Sequence, residues 1–188
     1  MQISVVTSNK GKFLEIYDIL EKFGIHAVQE SIETKEEGES LESRCLSKAK
    51  DAYSKLRKPL IVDDTGLFFE AYENFPGPFP KKVFTELGFD GIMKKLDQKI
   101  RNAYFKTIIC YIHSSGHNFF EGVIKGKVSD RVFVGGHDSL PYDKIFIPEG
   151  YAVPFCMISE EEKNKISHRS KAVQSFAKWF LKANIDKT

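Results

Sequence analysis

The stretch from Gln2 to Gly24, QISVVTSNKGKFLEIYDILEKFG, decides the fold. Its opening, QISVVTS, is a short β-branched run, after which Phe13, Ile16, Ile19, Leu20 and Phe23 recur at helical spacing until Gly24 stops them. That is a βα unit. The turn between strand and helix holds Asn9, Lys10, Gly11 and Lys12. Helix-opening amides, the positive end of the helix dipole and two ammonium groups all favour an anion there, phosphate first. It is not the G-x-x-x-x-G-K-[ST] loop, since Val6 stands at its first glycine and Phe13 at its Ser or Thr. An Asn-capped helix with solvated lysines explains the same residues.

Outward from this unit, IHAVQE is a second strand candidate and SIETKEEGES an acidic loop. LESRCLSKAKDAYSKL follows, with Leu41, Cys45, Ala49, Ala52, Tyr53 and Leu56 on one helical stripe and Pro59 beyond its end. PLIVDDTGLFFEAY reads as an apolar strand running into two aspartates, and NFPGPFP as a turn before short helical patterns at Val83–Leu87 and Ile92–Leu96. AYFKTIICYIH and NFFEGVIKGKV flank SSGH as a hairpin, and RVFV and KIFIP are further strand candidates. SEEEKNK carries a capping box, Ser159 with Glu162, before a terminal helix with Ala172, Val173, Phe176, Phe180 and Leu181 on one face. Helices alternate with strands early and hairpin strands dominate the middle, so the class is α/β with a mixed sheet.

The chain has 188 residues, 41% of them hydrophobic, and shows no linker, repeat or biased tract, as expected of one globular domain or two tightly joined lobes. With 28 basic and 26 acidic residues it has no global charge to draw it to nucleic acid or a membrane surface. The N-terminal apolar run is too short for a secretory signal and no stretch approaches the ~20 apolar residues of a membrane span, so a cytoplasmic protein is expected. Cys45, Cys110 and Cys156 lack metal or disulfide spacing and read as core residues.

Asp63 and Asp64 sit at the carboxyl end of an apolar strand, where open α/β sheets place ligands. Adjacent carboxylates suit Mg²⁺, which takes oxygen ligands; a solvated turn capped by Asp64 is the alternative. Glu42 precedes Cys45 and Leu46 by three and four residues, so on a helix it projects near the apolar stripe. Glu33, Glu36, Glu37 and Glu39 read instead as a solvated charge run. His113 and His117 flank a hairpin turn, a poor setting for a metal pair. Ser167, His168 and Arg169 open the last helix just after Lys163 and Lys165, a polar clamp for phosphate or a base edge.

Taken in order, TSNKGK, LES…KA, VDDTGL, NFPGP, AYFKT, FEGVIKG, YDKIFIPEG and EEKNKISHRSKA make a chain that resembles the inosine triphosphate pyrophosphatase family over nearly its whole length. The resemblance implies an elongated mixed sheet with flanking helices forming two lobes around a cleft, a homodimer, and a single catalytic domain over residues 1–188. It implies Mg²⁺-dependent hydrolysis of a non-canonical purine nucleoside triphosphate such as ITP, dITP or XTP to the monophosphate and pyrophosphate. By the same resemblance Thr7, Ser8, Asn9 and Lys12 contact the triphosphate, Glu42, Asp63 and Asp64 hold the metal, and Asp64 is the base. Lys48 is a possible phosphate contact, and Tyr142, Asp143, Lys165, His168 and Arg169 belong to the substrate site, His168 and Arg169 donating to a 6-oxo group.

The chain departs from the family pattern in places. The family's G-F-G-Y-D-P becomes SLPYDK, so Ser139, Leu140, Pro141 and Lys144 replace two glycines, a stacking Phe and a Pro. The lysine expected five residues after Glu42 is Ser47, with Lys48 one place on, and Pro80 and Lys81 stand near an expected Ser. A pyrophosphatase of different base preference, or a nucleotide- or RNA-binding module without turnover, remains open on these residues.

Overall fold

A computed structural model describes residues 1–135 and 141–185. Strand β1 (Gln2–Val6) leads into helix α1 (Lys10–Glu21), strand β2 (His26–Glu30), helix α2 (Leu41–Leu56) and strand β3 (Leu60–Phe69). Then come β4 (Pro76–Gly77), α3 (Pro80–Lys95), β5 (Asn102–His113), β6 (Gly116–Val128), β7 (Phe146–Pro148), α4 (Glu160–Ile166) and α5 (His168–Ile185), with 3-10 turns at Pro141–Lys144 and Phe155–Met157.

The sheet order is β2-β1-β3-β5-β6-β7, with β4 paired to β3. β1 runs parallel to β2 and β3, with Val6 opposite Val62, whereas β4 is antiparallel to β3 and β7 to β6. The mixed sheet expected from the element pattern is present. The chain divides into two compact units, the first comprising Met1–Thr65, Thr107–Gly122 and the segment from Ser167, the second Gly66–Lys106 and Val123–Ile166.

In the first unit Ile16, Ile19 and Leu20 of α1 and Ala172, Val173, Phe176 and Phe180 of α5 close over Ile3, Val5, Ile61 and Ile109 of the sheet. The stripe read on α2 is the buried one, Leu41, Cys45, Ala49 and Ala52, and the Cys45 thiol donates to the Val62 and Ile108 carbonyls at 3.8 and 3.4 Å. Burial of these aliphatic side chains, each worth about 1.5–3 kcal/mol, fixes the helices on the strands that carry Thr7 and Asp63.

In the second unit Leu67, Phe69, Phe105, Ile124, Phe146 and Phe155 form a separate core with Ile92 and Leu96. The two helical patterns read around Val83 and Ile92 are the halves of α3, broken at Gly88, whose φ of 59° only glycine adopts freely. RVFV, expected as a strand, is not one: Phe133 N–H donates to the Lys144 carbonyl, Val132 packs against the second core, and Val134 is exposed. All three cysteines are free and buried, as read. No helix among the described residues is long and apolar enough to cross a membrane.

Candidate active site

The β1–α1 turn is shaped by its own side chains. Thr7 N–H donates to the Glu30 carbonyl at 3.1 Å, and Gln29 Nε2 holds the Thr7 carbonyl at 3.0 Å. Thr7 Oγ1 accepts from Asn9 N–H at 3.2 Å, and Asn9 Oδ1 accepts from Lys12 N–H at 3.0 Å. Asn9 is therefore the helix cap that its position suggested, while Ser8 and Lys10 stand exposed. Lys12 is not solvated; its Nζ lies 2.9 Å from Asp63 Oδ2.

Asp63 is buried within β3, not at the strand's carboxyl end as its context suggested, because the strand runs on to Phe69; its Oδ2 also faces Arg169 Nε at 3.4 Å. Burial alone would raise its pKa, but the charges of Lys12, Arg169 and Lys48 overcome that and hold the carboxyl far below the usual range. Its other oxygen, Oδ1, is buried without a hydrogen-bond partner among the described residues. A permanently ionised carboxylate with one bare oxygen has an unused electron-pair donor, the donor chemistry that Mg²⁺ requires.

Asp64 differs from its neighbour. Oδ1 accepts from Thr65 N–H at 3.1 Å and Oδ2 lies 3.3 Å from Arg44 Nε. Burial raises its pKa above the ordinary value; Lys12 and Lys48 oppose that, and the Asp63 charge adds to it. Two adjacent carboxylates are thus driven apart in proton affinity, Asp63 downward and Asp64 upward, as acid–base chemistry at a shared site requires.

Two cations from α2 complete this corner. Lys48 Nζ reaches the Asp63 carbonyl at 3.4 Å and Glu36 Oε1 at 3.0 Å, while Arg44 Nη2 holds Glu36 Oε2 at 2.9 Å. Burial would lower the Lys48 pKa, but Asp63 and Glu36 raise it, so the ammonium stays charged. Glu36, read from the sequence as one of a solvated run, is instead paired twice. Glu42 stands half-buried on the first turn of α2. Among the described residues no three Asp, Glu, His or Cys side chains converge to cage a cation, so Glu42, Asp63 and Asp64 do not form a ready-made three-carboxylate cage.

At the start of α5 Ser167 Oγ accepts from Ser170 N–H at 3.1 Å as a cap. His168 and Arg169 are buried rather than presented outward. The Arg169 guanidinium spends its fork on Asp63, on Glu15 of α1 through Nη1, and on Thr65 Oγ1 at 3.4 Å. Burial alone would lower its pKa, but Glu15 and Asp63 raise it, so the charge is fixed. Close approach of β6 to this helix start depends on Gly122, where a Cβ would lie 2.0 Å from the His168 carbonyl oxygen and 2.5 Å from the Ala172 nitrogen.

Tyr142, Asp143 and Lys165 belong to the second unit. Tyr142 is buried with its hydroxyl donating to the Pro80 carbonyl at 3.0 Å, and buried Asp143 pairs with Lys163 at 2.9 Å. Lys165 is exposed and lies 3.0 Å from Glu161 and 3.5 Å from Glu162. Between the two lysines upstream of SHR, Lys163 is thus the one turned inward. Ser139 and Leu140, which replace the family's aromatic, lie outside the described residues.

Sequence reasoning passed over Glu15 and Arg44, read Glu36 as solvated, and placed Lys165 rather than Lys163 in the substrate site. Glu15 carried the signal that flagged Glu42, an acid four residues before a buried helical apolar residue, here Ile19. The choice of Lys163 was legible too, because Lys165 follows Glu161 by four residues, the spacing of a solvated helix-surface pair. Nothing local foretold Glu36.

Fold and site together define a class, an α/β protein whose first strand-to-helix turn sets Lys12 against a pair of adjacent aspartates. Comparison with known proteins narrows it. Residues 3–179 match the model of the Ham1 family, and the chain belongs to that family. It is 39% identical to a dITP/XTP pyrophosphatase from Saccharolobus solfataricus, with 100% of this chain and 97% of that protein aligned. A dITP/XTP pyrophosphatase from Hyperthermus butylicus is also 39% identical, over 94% of this chain and 93% of that protein. In fold the chain is similar to a HAM1 protein from Coxiella burnetii, with a TM-score of 0.80 at 22% identity, covering 97% of this chain and 99% of that one.

Proposed function

We propose that the protein hydrolyses non-canonical purine nucleoside triphosphates, dITP, XTP and ITP, to the monophosphate and pyrophosphate. The observation that carries this is Asp63, fully buried, ionised by Lys12 and Arg169, with one oxygen left bare beside the more basic Asp64. A binding module gains nothing from such a pair. The relatives' names supply the substrate class, and family membership supports its transfer to this chain.

In this reading the Thr7–Lys12 turn and Lys48 bind and orient the triphosphate, neutralising charge that would otherwise repel the attacking oxygen. Asp64 accepts a proton from water as the water oxygen bonds to the α-phosphorus. The bond from that phosphorus to the bridging oxygen breaks, and pyrophosphate leaves with the electron pair. Asp63 and Asp64 fit Mg²⁺ by donor type, with Glu42 of α2 as the further acid; such a site takes one or two carboxylates, its remaining ligands being phosphate oxygens and water. When bound, the ion supplies charge neutralisation at the phosphates and the leaving group. His168 and Arg169 serve base recognition in this reading, Arg169 by way of its bonds within the protein. A cytoplasmic homodimer is part of the same proposal.

The test is pyrophosphate release from XTP, dITP, ITP, GTP and ATP with Mg²⁺, on the wild type and Asp64→Asn in parallel. Release from the first three should fall by about 10²–10⁴-fold in the variant, the usual contribution of a positioned base. An unchanged rate in Asp64→Asn would remove Asp64 from catalysis, and no release from any substrate by the wild type would overturn the activity.

A further inference from the structure

Next to Asp64, two threonine hydroxyls meet across adjacent strands. Thr65 of β3 and Thr107 of β5 bring their Oγ1 atoms to 2.7 Å, so one donates to the other. Thr107 is fully buried, whereas Thr65 is half-buried. Thr65 also touches two groups of the site: its N–H donates to Asp64 Oδ1 at 3.1 Å, and its Oγ1 accepts from Arg169 Nη2 at 3.4 Å. Thr107 has Thr65 as its one side-chain partner among the described residues.

Burial decides the direction of that bond. A hydroxyl has one proton to give and two lone pairs to accept with. If Thr65 donated to Thr107, the Thr107 proton would be left in the interior without an acceptor among the described residues, the arrangement that folded proteins avoid. If Thr107 donates, its proton is satisfied and both Thr65 lone pairs are used, one by Thr107 and one by Arg169. The Thr65 proton then takes the one tetrahedral direction left. No group among the described residues accepts it, and Thr65 is the hydroxyl of the two that solvent or a ligand can reach. Lys12 and Arg169 bring fixed positive charge to the same corner through Asp63, so an anionic oxygen is the acceptor drawn there.

We propose that Thr107 is a positioning residue: by donating to Thr65 from the buried side, it turns the Thr65 proton toward an oxygen of a phosphate chain bound beside Asp64. The identity of that chain as the substrate's rests on the proposed function. Thr107 itself touches no ligand and acts only through Thr65. A threonine pair that merely held β3 to β5 would contribute to the sheet and leave binding unchanged. A positioning pair acts on binding, and only while Thr65 keeps its hydroxyl. Valine at 107 keeps the β-branched shape and removes the donor. Thr65 is then left with the longer bond from Arg169, and its proton is no longer confined to one direction.

The experiment is calorimetric titration of inorganic triphosphate in Mg²⁺-free buffer into the wild type, Thr107→Val, Thr107→Ser, Thr65→Val and the double variant Thr65→Val/Thr107→Val. Thr65→Val should bind about tenfold more weakly and Thr107→Val about two- to tenfold more weakly, the range of one hydrogen bond. Thr107→Ser, which keeps the donor, should stay within about twofold of the wild type. In the Thr65→Val background, Thr107→Val should add nothing, because the group it acts through is gone. Wild-type binding by Thr107→Val, no rescue by serine, or the same loss with and without the Thr65 hydroxyl would overturn the positioning role. Wild-type binding by Thr65→Val would overturn it even where Thr107→Val does not fold, as would a wild type that does not bind triphosphate. XTP hydrolysis by the wild type separates the two claims: coupled binding without hydrolysis sinks the activity alone, and hydrolysis without coupling sinks the positioning role alone.

Discussion

Replacing Arg169 by methionine removes the guanidinium that ties α5 to α1 and β3 while keeping a similar hydrophobic stem. Arg169 is 1% exposed and faces Asp63, itself at 0%, and Glu15 at 20%. Removing one partner of a buried ion pair costs about 3–5 kcal/mol, because the other charge stays buried without compensation. Here the lower end applies: Asp63 keeps Lys12 at 2.9 Å, and Glu15 lies near enough to solvent to be partly rehydrated. At about 2–4 °C of Tm per kcal/mol for a chain of this size, a loss of about 3 kcal/mol lowers Tm by about 6–12 °C. The pH dependence follows from Asp63, whose folded pKa is depressed; its contribution is present above the unfolded value of about 3.9 and is lost as pH falls through the folded one. Differential scanning calorimetry at pH 7 and near pH 3 should show the wild type's advantage shrinking in acid. Arg169→Lys should fall between, keeping charge without the fork. A Tm within about 2 °C of wild type at pH 7, or a deficit that is the same near pH 3, would refute the reasoning.

Gly122→Ala should lower Tm by about 2–12 °C, since overpacking costs about 1–3 kcal/mol and the atoms met, the His168 carbonyl and the Ala172 nitrogen, are backbone that no rotamer relieves; thermal unfolding measures it. Lys163→Met should destabilise clearly by leaving buried Asp143 without its 2.9 Å partner, whereas Lys165→Met, an exposed residue, should change Tm by less than about 2 °C in the same assay. Asp64→Asn should lose activity without losing stability at pH 7, because a carboxyl whose folded pKa is raised contributes its stability at acid pH and loses it as pH rises through that value. Calorimetry of that variant against wild type, read beside its pyrophosphate release, checks the pairing.

Local chemistry was readable and distant pairing was not. The α2 stripe and its bounds, Leu41–Leu56, follow from apolar spacing and a following Pro59, and the Asn9 cap from residue type and position. The strand order could not be read, since β1 pairs with both β2 and β3 through main-chain bonds that carry no side-chain signature. RVFV shows the limit of β-propensity as a guide, for a run rich in valine and phenylalanine without a partner strand to bury it remains irregular. Arg169 could be named as a site residue but not oriented, because its partners lie 154 residues away at Glu15 and 106 away at Asp63.

Glu36 inverts what its context suggested. Glu42 stands near an apolar stripe, which marked it as functional, whereas Glu36 lies in an acidic loop, which marked it as solvated. The structure pairs Glu36 with both α2 cations and places Glu42 in no three-acid group among the described residues. A charged side chain on a loop can travel to the nearest uncompensated opposite charge, and on this chain that charge comes from Arg44 and Lys48 packed beside Asp63 and Asp64. The acidic loop is therefore part of this corner's charge balance, with Glu36 bridging Arg44 and Lys48.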